Sequence, residues 1–221
     1  MGPLQLWKKI KFTCKMNYNK FNKYFSRNKI EDLIDRYLDK NPDKETGTYV
    51  DIGANHAMRN NNTFYYYIRG WRGILVEPYP RHIATIKKIR PQDILISKAI
   101  MDYDGKVKMN YNIVQELENK LSKKIKSKKR DERYIVECIT INTLIKEHAN
   151  FSEPDFLSID IEGSEKKALS KCDFTKFKPK IICIEYKTKK YKFSRDWKHF
   201  LLPYYELKDT LTTDAIYLRR K

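Results

Sequence analysis

Short apolar runs recur along the chain from Tyr49 onwards, and segments with the periodicity of an amphipathic helix separate most of them. Strands that alternate with helices favour a mainly parallel β-sheet with helices on both faces. The runs that predict strands are Tyr49–Gly53, Gly73–Glu77, Asp93–Ile100, Val107–Asn112, Tyr134–Ile141, Phe156–Ile161 and Ile181–Glu185, with Tyr205–Lys208 and Ala215–Leu218 as a closing hairpin. The segments that predict helices are Ile30–Leu38, Thr63–Arg69, Ile83–Ile89, Ile141–His148 and Glu165–Ser170. Asp104 and Gly105 add a hairpin turn signal before Val107.

The basic composition bears on partners and on domain organisation. Lysine and arginine number 46 against 28 acidic residues, which gives a formal charge of +18. Such a charge favours nucleic acid, acidic glycans or an anionic membrane surface as partners, and a solvated basic surface is the alternative. Residues 1–45 are predicted to form a basic, aromatic-rich helical extension, and residues 46–221 a single domain. The lysine-rich residues 114–133 are expected to form a mobile flap or an acceptor-side element rather than part of the core.

Two negative observations point to a cytoplasmic protein. No run reaches the roughly 18 apolar residues of a transmembrane helix, so no membrane span is expected. The four cysteines lack C-x-x-C spacing, which is typical of reduced thiols rather than of a structural zinc site.

The first candidate motif is the turn that follows the first predicted strand, Asp51-Ile52-Gly53-Ala54-Asn55. A strand that ends in an acidic residue and a glycine, and then enters a helix, presents free backbone N–H groups to a ligand. Glycine also permits a sharp turn and a close approach to the backbone. An ordinary strand–turn–helix connection is the alternative interpretation.

The second candidate is Glu77, which ends the second predicted strand 24 residues after Gly53. An acidic residue at this place can accept hydrogen bonds from both hydroxyls of a ribose. A surface glutamate before a proline-rich turn is the alternative.

The third candidate is a pair of carboxylates, Asp160 and Glu162, at the end of the predicted strand Phe156–Ile161. In an extended backbone, residues two apart project to the same side. Such a pair can bind a divalent cation, or divide the roles of general base and orienting group. The alternative is a helix start in which Ser164 and Glu165 act as caps.

These segments together resemble the FkbM family of S-adenosylmethionine (SAM)-dependent methyltransferases. The resemblance implies a Rossmann-like, class I methyltransferase fold with a sheet of the seven-stranded type. It also implies O-methylation of sugars, with a carbohydrate acceptor in a glycan or glycosylated intermediate. The stretches that carry the resemblance are Tyr49–Asn55, Asn62–Thr63, Gly70–Pro78, Arg90–Pro91, Ile141–Leu144 and Leu157–Glu165.

The resemblance also implies which residues hold the cofactor. Asp160 would lie near the transferred methyl group, and Glu77 would hold the ribose. Ser97 to Ala99 would flank the adenine. The residues that would surround the methionine moiety are Asp51, Gly53, Asn55 and Thr63.

The acceptor chemistry leaves several alternatives open. A sugar hydroxyl is a poor nucleophile, so a base or a metal must take or weaken its proton. Asp160 and Glu162 are the first candidates, either as catalytic acids or as ligands of Mg²⁺ or Mn²⁺. His56 is a further candidate base, and Glu185 and Lys187 are candidate acceptor contacts. The other possible functions are an RNA methyltransferase, which the basic segments suggest, and an inactive binding domain on the same fold.

Overall fold

The computed structural model describes residues 30–38, 46–110, 133–186 and 197–221. The strands are β1 (Thr48–Ile52), β2 (Arg72–Val76), β3 (Ile94–Ile96), β4 (Ala99–Ile100), β5 (Gly105–Asn110), β6 (Arg133–Ile139), β7 (Phe156–Ile159), β8 (Ile181–Glu185), β9 (Tyr205–Thr210) and β10 (Asp214–Arg219). The helices are α1 (Ile30–Tyr37), α2 (Phe64–Ile68), α3 (Pro80–Ile89), α4 (Ile141–Glu147), α5 (Glu165–Ser170) and α6 (Lys198–Leu201), with a 3₁₀ turn at Ala149–Phe151.

The central sheet has seven strands in the order β3-β2-β1-β7-β8-β10-β9. Strands β3, β2, β1, β7 and β8 are parallel, and β10 runs antiparallel to both of its neighbours. The α/β prediction with a mainly parallel, seven-stranded sheet is therefore confirmed. The strand that follows β1 is added on one side of the sheet, and the strand that follows β7 is added on the other side. Sheets of this kind bind ligands in the crevice between two such strands.

Helices cover both faces of this sheet, as the alternation of elements predicts. Successive side chains of a strand point to opposite faces, so Val50 and Ile52 join one buried cluster while Tyr49 joins the other. Helices α4, α5 and α6 contribute to the first cluster, and α1, α2 and α3 contribute to the second. Each face of the sheet thus has its own apolar core.

The segment predicted as a single buried strand, Asp93–Ile100, is instead two short strands in two different sheets. Strand β3 pairs with β2 at the edge of the central sheet, and Ile94 is exposed. Strand β4 pairs with β6 in a separate sheet of order β4-β6-β5. The predicted hairpin turn at Asp104 and Gly105 is likewise wrong, because β4 and β5 are not neighbours and β6 lies between them. This small sheet matters below because it forms one wall of the candidate site.

The predicted N-terminal extension is described only for residues 30–38. Ile30 and Ile34 of α1 are buried in the second core cluster, and the Tyr37 hydroxyl donates to the carboxylate of Asp209 in β9. The division at residue 45 stays a prediction. Residues 114–132 of the predicted flap lie outside the described residues. None of the helices in the described part of the chain has the length and apolar character that a membrane span requires.

Candidate functional site

A pocket of about 360 Å³ opens at the carboxyl ends of β1, β2 and β7. Residues of β4 and β5 close its opposite side, so it lies between the two sheets. Its volume falls in the range of small-molecule sites, about 300–1,000 Å³. The predicted site residues that line it are Gly53, Asn55, Glu77, Ala99, Asp160 and Glu162, and other lining residues include Lys98, Met101, Met109 and Lys167.

The turn after β1 is fixed by Gly53, whose φ of 86° lies in the left-handed region. Its N–H donates to the Val76 carbonyl over 2.9 Å, which ties the turn to the end of β2. A Cβ atom on Gly53 would fall only 1.9 Å from the backbone oxygen of Asp160. The turn therefore passes so close to the loop after β7 that only glycine fits there.

We expect Gly53→Ala to destabilise the protein by more than about 1 kcal/mol, because it adds a steric clash to an unfavourable φ. Gly163→Ala is the matched control: Gly163 has a φ of 100°, but a Cβ there meets no atom within 4 Å. Urea unfolding of both variants separates the clash from the backbone strain that they share. Equal losses in the two variants would contradict a close contact at Gly53.

Glu77 lies at the base of the pocket with only 4% of its surface exposed. Its Oε2 accepts from the Asn55 N–H over 2.7 Å, and its Oε1 accepts from the Tyr79 N–H over 2.7 Å. The Nδ1 of His82 is 3.7 Å from Oε1. A carboxylate has about four acceptor positions, and the turns after β1 and β2 each donate to one oxygen of this group. These bonds fix the orientation of the carboxylate in advance. The role of Glu77 in holding a ribose stays a prediction.

Asp51 and Thr63, which the family resemblance places around the methionine moiety, are not among the residues that line the pocket. Asp51 is buried, and its Oδ2 accepts from the Thr63 hydroxyl over 2.6 Å and from the Asn61 side-chain amide over 3.0 Å. Burial raises the pKa of the Asp51 carboxyl, and the charge of Arg90 acts in the opposite direction. The pair thus belongs to an internal polar network behind the first turn, and its role in binding the cofactor stays a prediction.

Arg90 is the centre of that network and is 1% exposed. Its Nε donates to Asp93 over 2.8 Å, its Nη1 to Asn61 over 2.9 Å, and its Nη2 to the hydroxyls of Tyr49 and Thr63 over 2.8 and 3.0 Å. These contacts connect the end of α3 with β1 and with the start of α2. Sequence reasoning missed Arg90 as a structural centre, because its only signal was the Arg90–Pro91 pair within the family resemblance.

Asp160 comes directly after β7 and lines the pocket. Its N–H donates to the Ile52 carbonyl over 3.0 Å, which places it beside the turn after β1. Its Oδ1 is buried and receives no hydrogen bond from the described residues. Burial is the main cause that raises its pKa, to about 7, and the nearby Glu162 carboxylate contributes in the same direction. The carboxyl group is therefore able to exchange a proton near neutral pH.

Glu162 also lines the pocket, although not for the reason that the sequence suggested. Strand β7 ends at Ile159, and Glu162 has a φ of 54°, so the backbone is not extended between the two acids. The loop is shaped instead by Glu165, whose Oε1 accepts from the N–H groups of Ile161 and Gly163, both over 3.1 Å. Ser164 makes no side-chain cap. Glu165 therefore has the structural role that the helix-start interpretation gave it.

The remaining candidates lie away from the centre of the pocket or outside the described chain. His56 does not line it, and its Nδ1 accepts from the N–H groups of Met58 and Arg59, both over 3.1 Å, as a local cap does. Ser97 is exposed and does not line it, whereas Ala99 does. Lys187 lies outside the described residues. Over the described ranges, no group of three or more His, Cys, Asp or Glu side chains is arranged to hold a metal ion.

Known proteins are similar to this chain in structure and, for one family, in sequence. The C-terminal domain of precorrin-6Y C5,15-methyltransferase from Rhodobacter capsulatus has a TM-score of 0.44 and 11% identity, over 86% of this chain and 88% of that chain. A TehB-like SAM-dependent methyltransferase from Corynebacterium glutamicum has a TM-score of 0.46 and 10% identity, over 85% and 87%. No curated protein sequence shows significant similarity. The Methyltransferase FkbM domain, however, matches residues 51–209, more than two thirds of the chain. The chain therefore belongs to the FkbM family of methyltransferases.

Proposed function

We propose that this methyltransferase transfers the methyl group of SAM to a hydroxyl of a sugar, in a glycan or glycosylated intermediate. The observation that carries the proposal is the carboxyl group of Asp160. It lies in the pocket, has a buried oxygen that receives no hydrogen bond from the described residues, and has a pKa raised towards neutrality. A hydroxyl acceptor needs such a group, because its proton must leave as the new bond forms.

The residues that line the pocket fit SAM, the cofactor that the family implies. Glu77 brings to the pocket a carboxylate that two backbone bonds already orient, which suits recognition of ribose hydroxyls. Gly53 and Asn55 bring backbone atoms to the pocket without a bulky side chain at the turn. Ala99 and Met101 both line the pocket, which supports the inference that they flank the adenine. The negative charge of Asp160 and Glu162 also suits a sulfonium cation.

The chemical step requires alignment and removal of one proton. SAM held by Gly53, Asn55 and Glu77 would supply the methyl group together with a sulfur able to leave with the electron pair. The protein must hold the acceptor oxygen in line with that methyl carbon. The Asp160 carboxylate accepts the proton of the acceptor hydroxyl as that oxygen takes the methyl group. Glu162, on the exposed side of the pocket, is in a position to bind the other hydroxyls of a sugar.

Transfer of an isotopically labelled methyl group tests this proposal. The protein is incubated with methyl-labelled SAM and a panel of glycans, and mass spectrometry then locates the label. We expect the label on a sugar oxygen. A parallel incubation with RNA addresses the alternative that the basic composition suggests. Label on RNA with none on any glycan would overturn the sugar proposal while leaving the methyltransferase identity intact.

A further inference from the structure

Strand register brings a second acid, Glu185, next to Asp160. Strands β7 and β8 are parallel neighbours in which Ile159 pairs with Ile184. Asp160 and Glu185 are the next residues along, so they lie side by side at the same edge of the sheet. The charge of each carboxyl group acts on the other. Because the two acids follow paired residues at the end of the sheet where the pocket begins, Glu185 is placed to orient Asp160.

Both acids have a buried oxygen that no donor satisfies within the described part of the chain. These atoms are Oδ1 of Asp160 and Oε2 of Glu185. Ionised carboxylates have no proton to donate. If both acids were charged, each would have a buried oxygen without water or a donor, and the two negative charges would repel each other. A single proton between them removes both costs, because one group then donates and the other accepts.

We propose that Glu185 is a positioning residue of the active site: it carries a proton and donates it in a hydrogen bond to Oδ1 of Asp160, which leaves Oδ2 for the acceptor. This inference rests on the proposed role of Asp160 as the base. The proton stays on Glu185 during turnover, and the proton of the acceptor hydroxyl goes to Asp160. Glu185 therefore orients the base and does not itself touch the acceptor.

The surroundings of the pair favour retention of one proton. Three further carboxylates face it, from the loop after β7 (Glu162), from α5 (Glu165) and from β10 (Asp214). Lys167 of α5 lines the same pocket. Burial is the largest cause that raises the pKa of Glu185, and the charges of Asp160 and Glu162 raise it further. Burial raises the pKa of both acids, and of the two only Asp160 lines the pocket. A proton on Glu185 therefore leaves Asp160 ionised on the side that an acceptor can reach.

The shared proton has a consequence for stability that does not involve catalysis. The folded protein retains a proton that an unfolded glutamate, with a pKa near 4.3, has released at neutral pH. A raised pKa contributes stability that is complete below the unfolded value and is lost as pH rises towards the folded value. For one full proton, the unfolding equilibrium constant increases about tenfold for each pH unit. Glu185→Gln cannot titrate, so it should remove this dependence from the range between the two values.

Two substitutions at Glu185 separate positioning from simple structural support. The amide of Glu185→Gln can still donate to Asp160. The acidic limb of the pH profile of kcat should therefore stay within a few tenths of a pH unit of its wild-type position. Glu185→Leu removes the donor and leaves Asp160 buried, so the same limb should move to higher pH by about one unit or more. The control is Glu147→Gln, because Glu147 is an exposed glutamate on α4. It should change neither the limb nor the pH dependence of unfolding.

Two further measurements keep the proposal testable if Glu185→Leu does not fold or if no acceptor is found. They are NMR of isotopically labelled side-chain carboxyl groups and urea unfolding, each over a range of pH. We expect one protonated glutamate at neutral pH that disappears in Glu185→Gln, together with a flatter dependence of unfolding on pH. Both acids ionised at neutral pH, or an unchanged dependence in Glu185→Gln, would overturn the shared proton. An acidic limb that moves equally in the Gln and Leu variants would overturn the positioning role. Failure of the sugar proposal alone would leave the NMR and unfolding results as predicted.

Discussion

Asp160→Asn is expected to lower turnover by about 10²-fold or more while the affinity for SAM changes little. The amide keeps the size of the carboxyl group, but it cannot accept the hydroxyl proton of the acceptor. The neighbouring groups remain in place, because the backbone bond from Asp160 to Ile52 does not depend on the side chain. The loss should therefore appear in kcat rather than in binding.

Single-turnover transfer of labelled methyl groups and calorimetric titration with SAM measure the two quantities separately. Glu77→Ala is the contrasting variant, since Glu77 lines the pocket and is proposed to hold the ribose rather than the acceptor. It should weaken SAM binding by about 1.5–3 kcal/mol, the scale of a hydrogen bond to a charged group. Wild-type turnover by Asp160→Asn would assign Asp160 a structural role and make Glu162 the better candidate base.

The same assay distinguishes a base from a metal ligand. Two carboxylates, Asp160 and Glu162, would need water or substrate to complete a Mg²⁺ or Mn²⁺ site. With Asp160 acting as a base, wild-type activity should survive EDTA. Loss of activity with EDTA and recovery with Mg²⁺ or Mn²⁺ would instead establish the pair as ligands.

Arg90→Met is expected to lower the free energy of unfolding by about 3–5 kcal/mol, the range for a buried charge network that loses one partner. The substitution keeps an unbranched side chain, so the loss of volume is small. It leaves the carboxylates of Asp51 and Asp93 buried without their cation. It also removes the donor to the hydroxyls of Tyr49 and Thr63.

Urea unfolding at constant pH measures this effect, with Arg81→Met as the control. Arg81 lies on the same helix, α3, and is exposed, so the same substitution there should change stability by less than about 0.5 kcal/mol. Equal stability of the two variants would show that the buried network contributes little. Because the network lies behind the turn at Gly53, Arg90→Met should also weaken SAM binding indirectly.

The sequence carried enough information for the four inner strands β1, β2, β7 and β8, because each is a short, mostly buried run and the helices between them have a clear period. The sequence was insufficient for the apolar run Asp93–Ile100, which forms a strand of one sheet up to Ile96 and a strand of another sheet from Ala99. Hydrophobicity specifies that a residue is buried but does not specify which strand it pairs with. The wall that β4 and β5 contribute to the pocket was therefore not predictable from local pattern.

The candidate site shows the same division. Gly53, Glu77 and Asp160 follow their strands directly, and strand ends in a parallel sheet meet at one edge, so their shared pocket could be predicted. Thr63 lies at the start of α2 rather than at a strand end, and its contact with Asp51 depends on a buried arginine distant in sequence. A contact of that kind arises from tertiary packing, and only the family resemblance gave any signal for it.

The two backbone bonds that hold Glu77 mean that the protein meets the cost of ordering this side chain when it folds, and not when the cofactor arrives. The proposed recognition of the ribose by Glu77 would then need no rearrangement of the carboxylate, which favours affinity. Glu77 would then have two roles, one in fixing the turns and one in binding the cofactor. A change at Glu77 that improved cofactor discrimination would disturb the turns at Asn55 and Tyr79 as well. Altered cofactor preference is therefore easier to reach through the opposite wall, at Ala99 and Met101, where side chains can vary without loss of a backbone partner.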